Sequence, residues 1–176
     1  IHESIDRANR LTEQLLTLAR LDPMQALPDA QPIDWQRSAH QALQSVNLQK
    51  KKKRVQLKLE CACGFGQVFP PLGNEVLLQL MLRNLLDNAI RYSPPNSHVT
   101  LTLAANGLSV CDEGPGIAAE HLPRIRERFY RPPGQSQQGS GLGLSIVERI
   151  ADLHGLRLDL VNADERGLCV HMIKAV

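Results

Sequence analysis

Residues 75 to 91 contain Val76, Leu77, Leu78, Leu80, Met81, Leu82, Leu85, Leu86, Ala89 and Ile90, a set that is apolar on almost every side of a helix. Such a helix has to be buried, so the rest of the chain must build a shell around it. On the same helix Asn84, Asn88 and Arg91 fall at i, i+4 and i+7 and share one narrow face. Buried amides and a guanidinium are costly unless something polar meets them. Either a bound ligand supplies that partner, or the three side chains cap loops and pair with neighbours such as Asp87.

The remaining sequence offers the shell. With 176 residues and 43% hydrophobic content the chain has enough material for one compact domain and an appendage. Trp35 to Lys50 reads as a helix, Val55 to Glu60 alternates like a strand, and Gly73-Asn74 opens the apolar helix. Strands are expected at His98 to Leu103 and Leu108 to Asp112, joined by the hairpin turn Ala105-Asn106-Gly107. A short helix follows near Ala119 to Arg128, then a polar Gly/Pro-rich stretch from Arg131 to Gly139. A helix ending at about His154 comes next, and two last strands lie near Leu156 to Val161 and Leu168 to Ile173. Helices and antiparallel strands in this order make an α+β, two-layer sandwich. Ahead of it, Ile1, Ile5, Ala8, Leu15 and Ala19, widened by Leu11 and Leu18, give Ile1 to Asp22 the stripe of one helix of a bundle or coiled coil. Pro23, Pro28 and Pro32 mark residues 23 to 32 as a linker. The domain proper then runs from 33 to 176.

Charge and composition narrow the function classes. Twenty Lys and Arg against 18 Asp and Glu, with 3% aromatics, favour neither a nucleic-acid partner nor a membrane surface. The run Lys50-Lys51-Lys52-Lys53-Arg54 is the exception, and it reads as a solvated helix end whose cations complement the dipole. No stretch approaches the roughly 18 apolar residues of a membrane span, and the first residues do not resemble a secretory signal. Cys61, Cys63, Cys111 and Cys169 form no C-x-x-C pair, so free thiols in a reducing cytoplasm are expected rather than a disulfide framework or a zinc site.

Two further motifs carry chemistry. The strand ending at Cys111 runs into Asp112-Glu113-Gly114-Pro115-Gly116, a carboxylate at a strand end followed by glycines that admit a ligand. A carboxylate accepts but cannot donate, which suits the exocyclic amine of adenine and rejects the carbonyl of guanine. An ordinary turn is the competing reading. Gly139-Ser140-Gly141-Leu142-Gly143-Leu144 then opens a helix, presenting free N–H groups and a positive dipole end to phosphates. It lacks the Gly-Lys-Ser/Thr of a Walker motif, and a polar loop rather than a strand precedes it.

In this order, Asn84-Leu85-Leu86-Asp87-Asn88-Ala89-Ile90-Arg91-Tyr92-Ser93, Asp112 to Gly116, Glu127-Arg128-Phe129-Tyr130-Arg131 and Gly139 to Leu144 resemble the N, G1, F and G2 boxes of sensor histidine kinases. Ile5-Asp6-Arg7-Ala8 and Gln14 to Asp22 resemble the second helix of the dimerisation hairpin of those kinases. The resemblance implies the Bergerat-type ATP-binding fold shared with gyrase and MutL, preceded by one hairpin helix, with ATP and Mg²⁺ as cofactors. Asn88 would give its side-chain oxygen to Mg²⁺, while Asn84, Arg91 and Tyr92 would line phosphates and ribose. Asp112 would read the adenine amine, with Gly114, Gly116 and Ile117 around the base. Arg131, Gly139, Gly141, Leu142, Gly143 and Leu144 would cradle the phosphates from a mobile lid.

Two departures stand out. Arg126 occupies a place where the F box commonly has Phe. The acceptor histidine motif is also absent, since none of His2, His40, His98, His121, His154 or His171 has its context, so the chain reads as a fragment that begins after the acceptor helix. The resemblance further implies a response regulator as partner, a homodimer through the hairpin, no nucleic acid, and a cytoplasmic position in a bacterial inner-membrane sensor, the fragment itself not touching the membrane. A gyrase/MutL-type ATPase would carry Glu where Asn84 stands, to activate water. A non-catalytic adenine-nucleotide-binding interaction module is the third reading.

Overall fold

The computed structural model describes residues 2–46, 53–134, 139–163 and 166–176. Its framework is a five-stranded sheet in the order β2-β4-β5-β7-β6, made of β2 (Gln56–Cys61), β4 (His98–Ala104), β5 (Gly107–Asp112), β6 (Leu156–Asn162) and β7 (Leu168–Lys174). Three of the four pairings are antiparallel; β2 and β4 run parallel, so the sheet is mixed rather than wholly antiparallel. Side chains alternate along it: Val99, Leu101 and Leu103 of β4 and Leu108 and Val110 of β5 are buried under the helices, while Thr100, Thr102, Ser109 and Cys111 point to the open face.

The helices α2 (Trp35–Ser45), α3 (Glu75–Tyr92) and α4 (Gly143–Leu153) form the second layer. The all-round apolar helix expected from the sequence is α3, whose Leu78, Met81, Leu82, Leu85, Leu86, Ala89 and Ile90 are buried. Asn74 caps it, its Oδ1 accepting from Leu77 N at 3.1 Å. At the other end the Lys53 ammonium donates to the Arg91 and Ser93 carbonyls. The cation of the charge run therefore complements the dipole of α3, not that of the helix preceding it in sequence. Burial, then the nearby Arg91 charge, lower the Lys53 pKa. Lys50–Lys52 lie outside the described residues, as does residue 47 onward of the helix expected to reach Lys50; α2 ends at Ser45.

Three other expectations are corrected. Ala119 to Arg128 is a chain of turns rather than a helix, with bonds such as Arg124 N to His121 O and Glu127 N to Arg124 O. Pro123 lacks the N–H needed to carry a helical ladder through it. The expected linker ends in β1 (Gln31–Pro32), which pairs with β3 (Leu72–Gly73), so its last residues are tied to the domain. Finally, Cys111 and Cys169, expected as free thiols, form a disulfide between directly opposed positions of β5 and β7. Sequence spacing does not reveal strand register, and it is register that places these two side by side.

Helix α1 (His2–Leu21) buries Leu18 and Leu21 against the domain. Arg149 of α4 donates to the Leu21 carbonyl at 3.1 Å and to the Asp22 and Met24 carbonyls, which caps the C-terminus of α1 with a guanidinium. Arg128 adds an ion pair to Asp22 at 2.6 Å.

His154, at the end of α4, is buried and spans two elements. Its Nδ1 donates to the Ile150 carbonyl at 2.7 Å, and its Nε2 accepts from the Asn74 N–H at 3.1 Å. Only the neutral ring can do both, and burial holds its pKa below the ordinary 6.5. The unfolded chain therefore binds a proton that the folded one refuses. The resulting stability is complete above pH 6.5 and is lost as pH falls from there towards the depressed value. In urea unfolding between pH 7.5 and 5, the wild type should lose more stability than His154→Gln; parallel profiles for the two proteins would refute this role.

Candidate functional site

A cavity of about 1140 Å³ opens between α3, the end of β5, the head of α4 and the inner face of α1. It gathers most of the residues singled out from sequence. Asn84, Asn88, Arg91 and Tyr92 come from α3, and Asp112, Gly116 and Ile117 from the end of β5 and the loop after it. Arg131, Gly139, Gly141, Gly143 and Leu144 come from the segment leading into α4. Gly114 and Leu142 are not on its wall. Leu142 is fully buried and anchors the glycine turn to the core. Gly114 lies just behind, its N–H bonded to Asp112 Oδ1 at 2.8 Å.

The apolar burial of α3 dictates where its polar stripe can go. Asn84 donates from Nδ2 to the Leu80 carbonyl at 2.8 Å, which turns its oxygen outward. The head of α4 faces that stripe: a Cβ at Gly143 would stand 3.3 Å from Asn88 Nδ2 and 3.5 Å from Asn84 Oδ1. A helix N-terminus thus stands close beside two amides on the cavity wall. The turn before it needs glycine at 141, where φ is +74° and a Cβ would meet the Phe129 backbone at 2.7 Å. Phe129 N in turn donates to the Gly141 carbonyl at 3.0 Å, so this turn and the F-box segment form one unit. Arg126, in place of the common Phe, makes an ion pair with Glu148 of α4 at 3.4 Å. Residues 135–138 of the expected lid lie outside the described residues.

Asp112 is 8% exposed, and its Oδ1 accepts from Gly114 N at 2.8 Å and from Leu168 N at 3.2 Å. Burial raises its pKa, and the two N–H donors oppose that rise. Asp87, also on the cavity wall, is likewise pushed up by burial and drawn back by Arg83, Arg91 and Arg10. The wall therefore combines several guanidinium groups with the amides of Asn84 and Asn88 and the carboxylates of Asp112, Asp87 and Glu13. That is an environment for a polyanion carrying a base. Among the described residues no group of three His, Cys, Asp or Glu side chains could hold a metal. A divalent ion here would take an amide oxygen such as that of Asn88 and share the oxygens of the bound anion, as Mg²⁺ commonly does.

Several contributors were not legible in the sequence. Asn162, at the end of β6, holds the glycine loop with two bonds: its Oδ1 accepts from Ile117 N at 2.9 Å and its Nδ2 donates to the Ile117 carbonyl at 2.7 Å. It also sets the glycine at 116, where a Cβ would lie 2.7 Å from Asn162 Oδ1 and φ is +70°. From α1, Arg10 and Gln14 line the cavity, and Ser140 Oγ donates to Gln14 Oε1 at 2.6 Å. These contacts join residues 45 and 126 positions apart, and no local pattern marks them.

Residues 73–175 match the family model described as histidine kinase-, DNA gyrase B- and HSP90-like ATPases. The chain is 46% identical over 167 residues to the sensor protein QseC of Escherichia coli O157:H7, covering 95% of this chain and 36% of that protein. It is 34% identical over 174 residues to the swarming motility regulation sensor protein RssA of Serratia marcescens, covering 96% of this chain and 36% of that protein. The chain thus spans little more than a third of the length of these relatives. Among solved structures, the cytoplasmic segment of histidine kinase QseC superposes with a TM-score of 0.65 at 33% identity, covering 96% of this chain and 93% of that one.

Replacing Asn162 by Ala removes both bonds to Ile117. At about 1 kcal/mol for each hydrogen bond lost, the loop from Gly114 to Ile117 should loosen well before the fold does. Amide hydrogen exchange at Ile117 should quicken by up to roughly 30-fold, the equivalent of both bonds, while the β4 and β5 amides keep wild-type rates. Unchanged exchange at Ile117 would remove Asn162 from the site.

Proposed function

The chain belongs to the family of histidine kinase-, DNA gyrase B- and HSP90-like ATPases, and from that premise we propose that it binds Mg·ATP and positions the γ-phosphoryl group for transfer to a histidine on a dimerisation hairpin. The observation that carries this reading is the gathering of α4's N-terminus, the Asn84/Asn88 pair beside it and Asp112 on the wall of one cavity.

Each residue has a role that follows from its chemistry. With Asp112 Oδ1 engaged by two backbone N–H groups, Oδ2 is the acceptor left for the adenine amine. Asn162 and Gly116 keep the loop close enough for backbone atoms to approach the base. Arg91 and Arg131 balance phosphate charge, and the N–H groups of Gly141 to Leu144 cradle the phosphates. Mg²⁺ held through Asn88 Oδ1 would neutralise charge on the phosphate oxygens. Little further chemistry is required of the protein, because phosphoryl transfer depends chiefly on positioning and charge neutralisation.

Asn84 favours transfer over the hydrolysis of the gyrase/MutL type. An amide oxygen is too weakly basic to take a proton from water, and the Asn84 Nδ2, donating to the Leu80 carbonyl, offers no basic nitrogen either. Helix α1 is read as the second hairpin helix, residues 23–32 as its connection and 33–176 as the catalytic domain. In the whole sensor the same reading gives a homodimer through the hairpin, a response regulator as phosphate recipient, and a cytoplasmic position below a membrane-spanning part.

Calorimetric titration tests the nucleotide assignment. Mg·ATP should bind and Mg·GTP should bind far more weakly. Asp112→Asn should weaken ATP by roughly 5- to 150-fold, the equivalent of the 1–3 kcal/mol cost of a mismatched buried polar group. Because burial raises the Asp112 pKa, acidification should protonate this acceptor above the ordinary 3.8, and ATP affinity should fall as pH is lowered towards that raised value. The Asn variant should lack this pH-dependent component. Equal affinity for ATP and GTP, or an unaffected Asn variant, would overturn the role of Asp112.

A second measurement separates transfer from hydrolysis. Incubated with labelled ATP, the chain should neither accumulate acid-labile phosphate on its own histidines nor release phosphate steadily. Adding a hairpin fragment that carries an acceptor histidine should produce labelled hairpin. Steady phosphate release without an acceptor would favour the ATPase reading instead.

A further inference from the structure

The disulfide lies at a position where a single covalent bond controls the geometry of the cavity. The β5/β7 ladder runs from Gly107 opposite Ile173 to Cys111 opposite Cys169, so the cysteines form its terminal rung. Their Cα atoms are 4.1 Å apart. Terminal rungs are where a sheet opens first. The next residue on each strand belongs to the cavity wall: Asp112 follows Cys111, Leu168 precedes Cys169, and Leu168 N donates to Asp112 Oδ1 at 3.2 Å. Gly167 packs directly on the same residue, since a Cβ there would fall 1.7 Å from the Asp112 carbonyl oxygen. The covalent rung therefore holds a carboxylate and its donor in register.

The pair is also reachable. Alternation along the strands puts Cys111 and Cys169 on the open face of the sheet, opposite the helices, with Thr100 and Val161 as cross-strand neighbours. Both cysteines are half-buried, whereas Val110, Asp112 and Val170 beside them are buried. A small thiol can approach from solvent without entering the nucleotide cavity.

We propose that Cys111–Cys169 is a reversible thiol–disulfide site, exchanging with small dithiols and with glutathione disulfide, and that its oxidised form sets the Asp112 cradle for nucleotide binding. The consequence for nucleotide rests on the ATP-binding reading above, and so does reversibility, because disulfides in a reducing cytoplasm are characteristically transient. In reduction, a thiolate of the dithiol attacks one sulfur and the Cys111–Cys169 bond breaks, giving a mixed disulfide and one protein thiolate. The second thiol of the reductant then displaces the other cysteine. Two electrons and two protons end on Cys111 and Cys169, and the reductant leaves as its own disulfide. Glutathione disulfide reverses the exchange in two steps, releasing two molecules of glutathione. With the covalent rung open, the end of β7 can separate from β5, the Leu168 N–H withdraws from Asp112, and the carboxylate loses its fixed direction.

The test uses the full chain after treatment with dithiothreitol or glutathione disulfide, and a Cys61→Ser/Cys63→Ser variant so that only the proposed pair reports. Thiol titration should count two free thiols after the first treatment and none after the second. In the reduced form, amide exchange at Gly114 and Leu168 should quicken while α3 keeps its rates, and Mg·ATP should bind about fivefold more weakly, the equivalent of one lost hydrogen bond. Cys111→Ser/Cys169→Ser should match the reduced form and ignore both reagents. Two free thiols after glutathione disulfide, resistance to dithiothreitol, or identical exchange at Gly114 and Leu168 in both states would each overturn the proposal. Altered exchange with no ATP binding in either state would leave the redox site standing and remove the nucleotide reading. ATP affinity equal in the two states, with exchange altered, would refute the coupling to nucleotide.

Discussion

Burial of α3 on nearly all sides is the constraint from which the rest of the molecule follows. A helix carrying Leu78, Met81, Leu82, Leu85, Leu86 and Ile90 has to be enclosed by a sheet on one side and by α2 and α4 on others. Once enclosed, it has one direction left for Asn84, Asn88 and Arg91, and the cavity occupies that direction. Its ends are fixed with equal economy. Asn74 caps the N-terminus, His154 of α4 binds the Asn74 N–H, and Lys53 meets the carbonyls at the C-terminus. The polar stripe is therefore held by packing and by caps, and needs no rigidity of its own.

The same logic explains why a carboxylate can be left deep in the structure. Asp112 is almost wholly removed from water, which disfavours its charge, yet two backbone N–H groups converge on one of its oxygens and partly offset that cost. These donors come from different strand ends, Gly114 after β5 and Leu168 at the start of β7. The direction in which Asp112 points thus depends on tertiary register, not on the local turn. Asn162 extends this arrangement to the neighbouring loop by imitating a strand partner for Ile117.

Local pattern carried a large part of this architecture. The long apolar run after Gly73-Asn74 gave α3, the Asn-Gly signal gave the β4–β5 hairpin, and both glycine turns reach the wall of the cavity. Features that depend on register or on distant contacts were not legible. Nothing near Cys111 announces that Cys169, 58 residues on, will stand opposite it. Nothing near Ile117 points to Asn162. The failed helix at Ala119 to Arg128 is a different case: turn-forming residues with helical spacing were present, and Pro123 removed the N–H that would have joined them. The charge run shows a third kind of miss, in which the dipole argument was sound but Lys53 serves a helix 22 residues downstream in sequence, α3 beginning at Glu75.

Helix α1 belongs to this argument because it closes the cavity opposite the amides. Its C-terminal carbonyls are capped by Arg149 from α4, Asp22 just beyond it pairs with Arg128, and Gln14 accepts from Ser140 in the glycine turn. All three partners lie between Arg128 and Arg149, in the part of the chain that carries the second glycine turn to the cavity wall. Ion pairs and single hydrogen bonds at half-exposed positions are individually weak, on the order of 1 kcal/mol or less, whereas Leu18 and Leu21 are buried outright. The C-terminal turn of α1 is consequently the fixed point and the contact at Gln14 the breakable one. A change in the angle of α1 would be felt first at Ser140, and through its Oγ, which accepts from Leu142 N at 3.2 Å, at the N-terminus of α4. The middle of α1 and the N-terminus of α4 are thus joined through Gln14 and Ser140, so each biases the other through this contact with an energy no larger than that of a hydrogen bond.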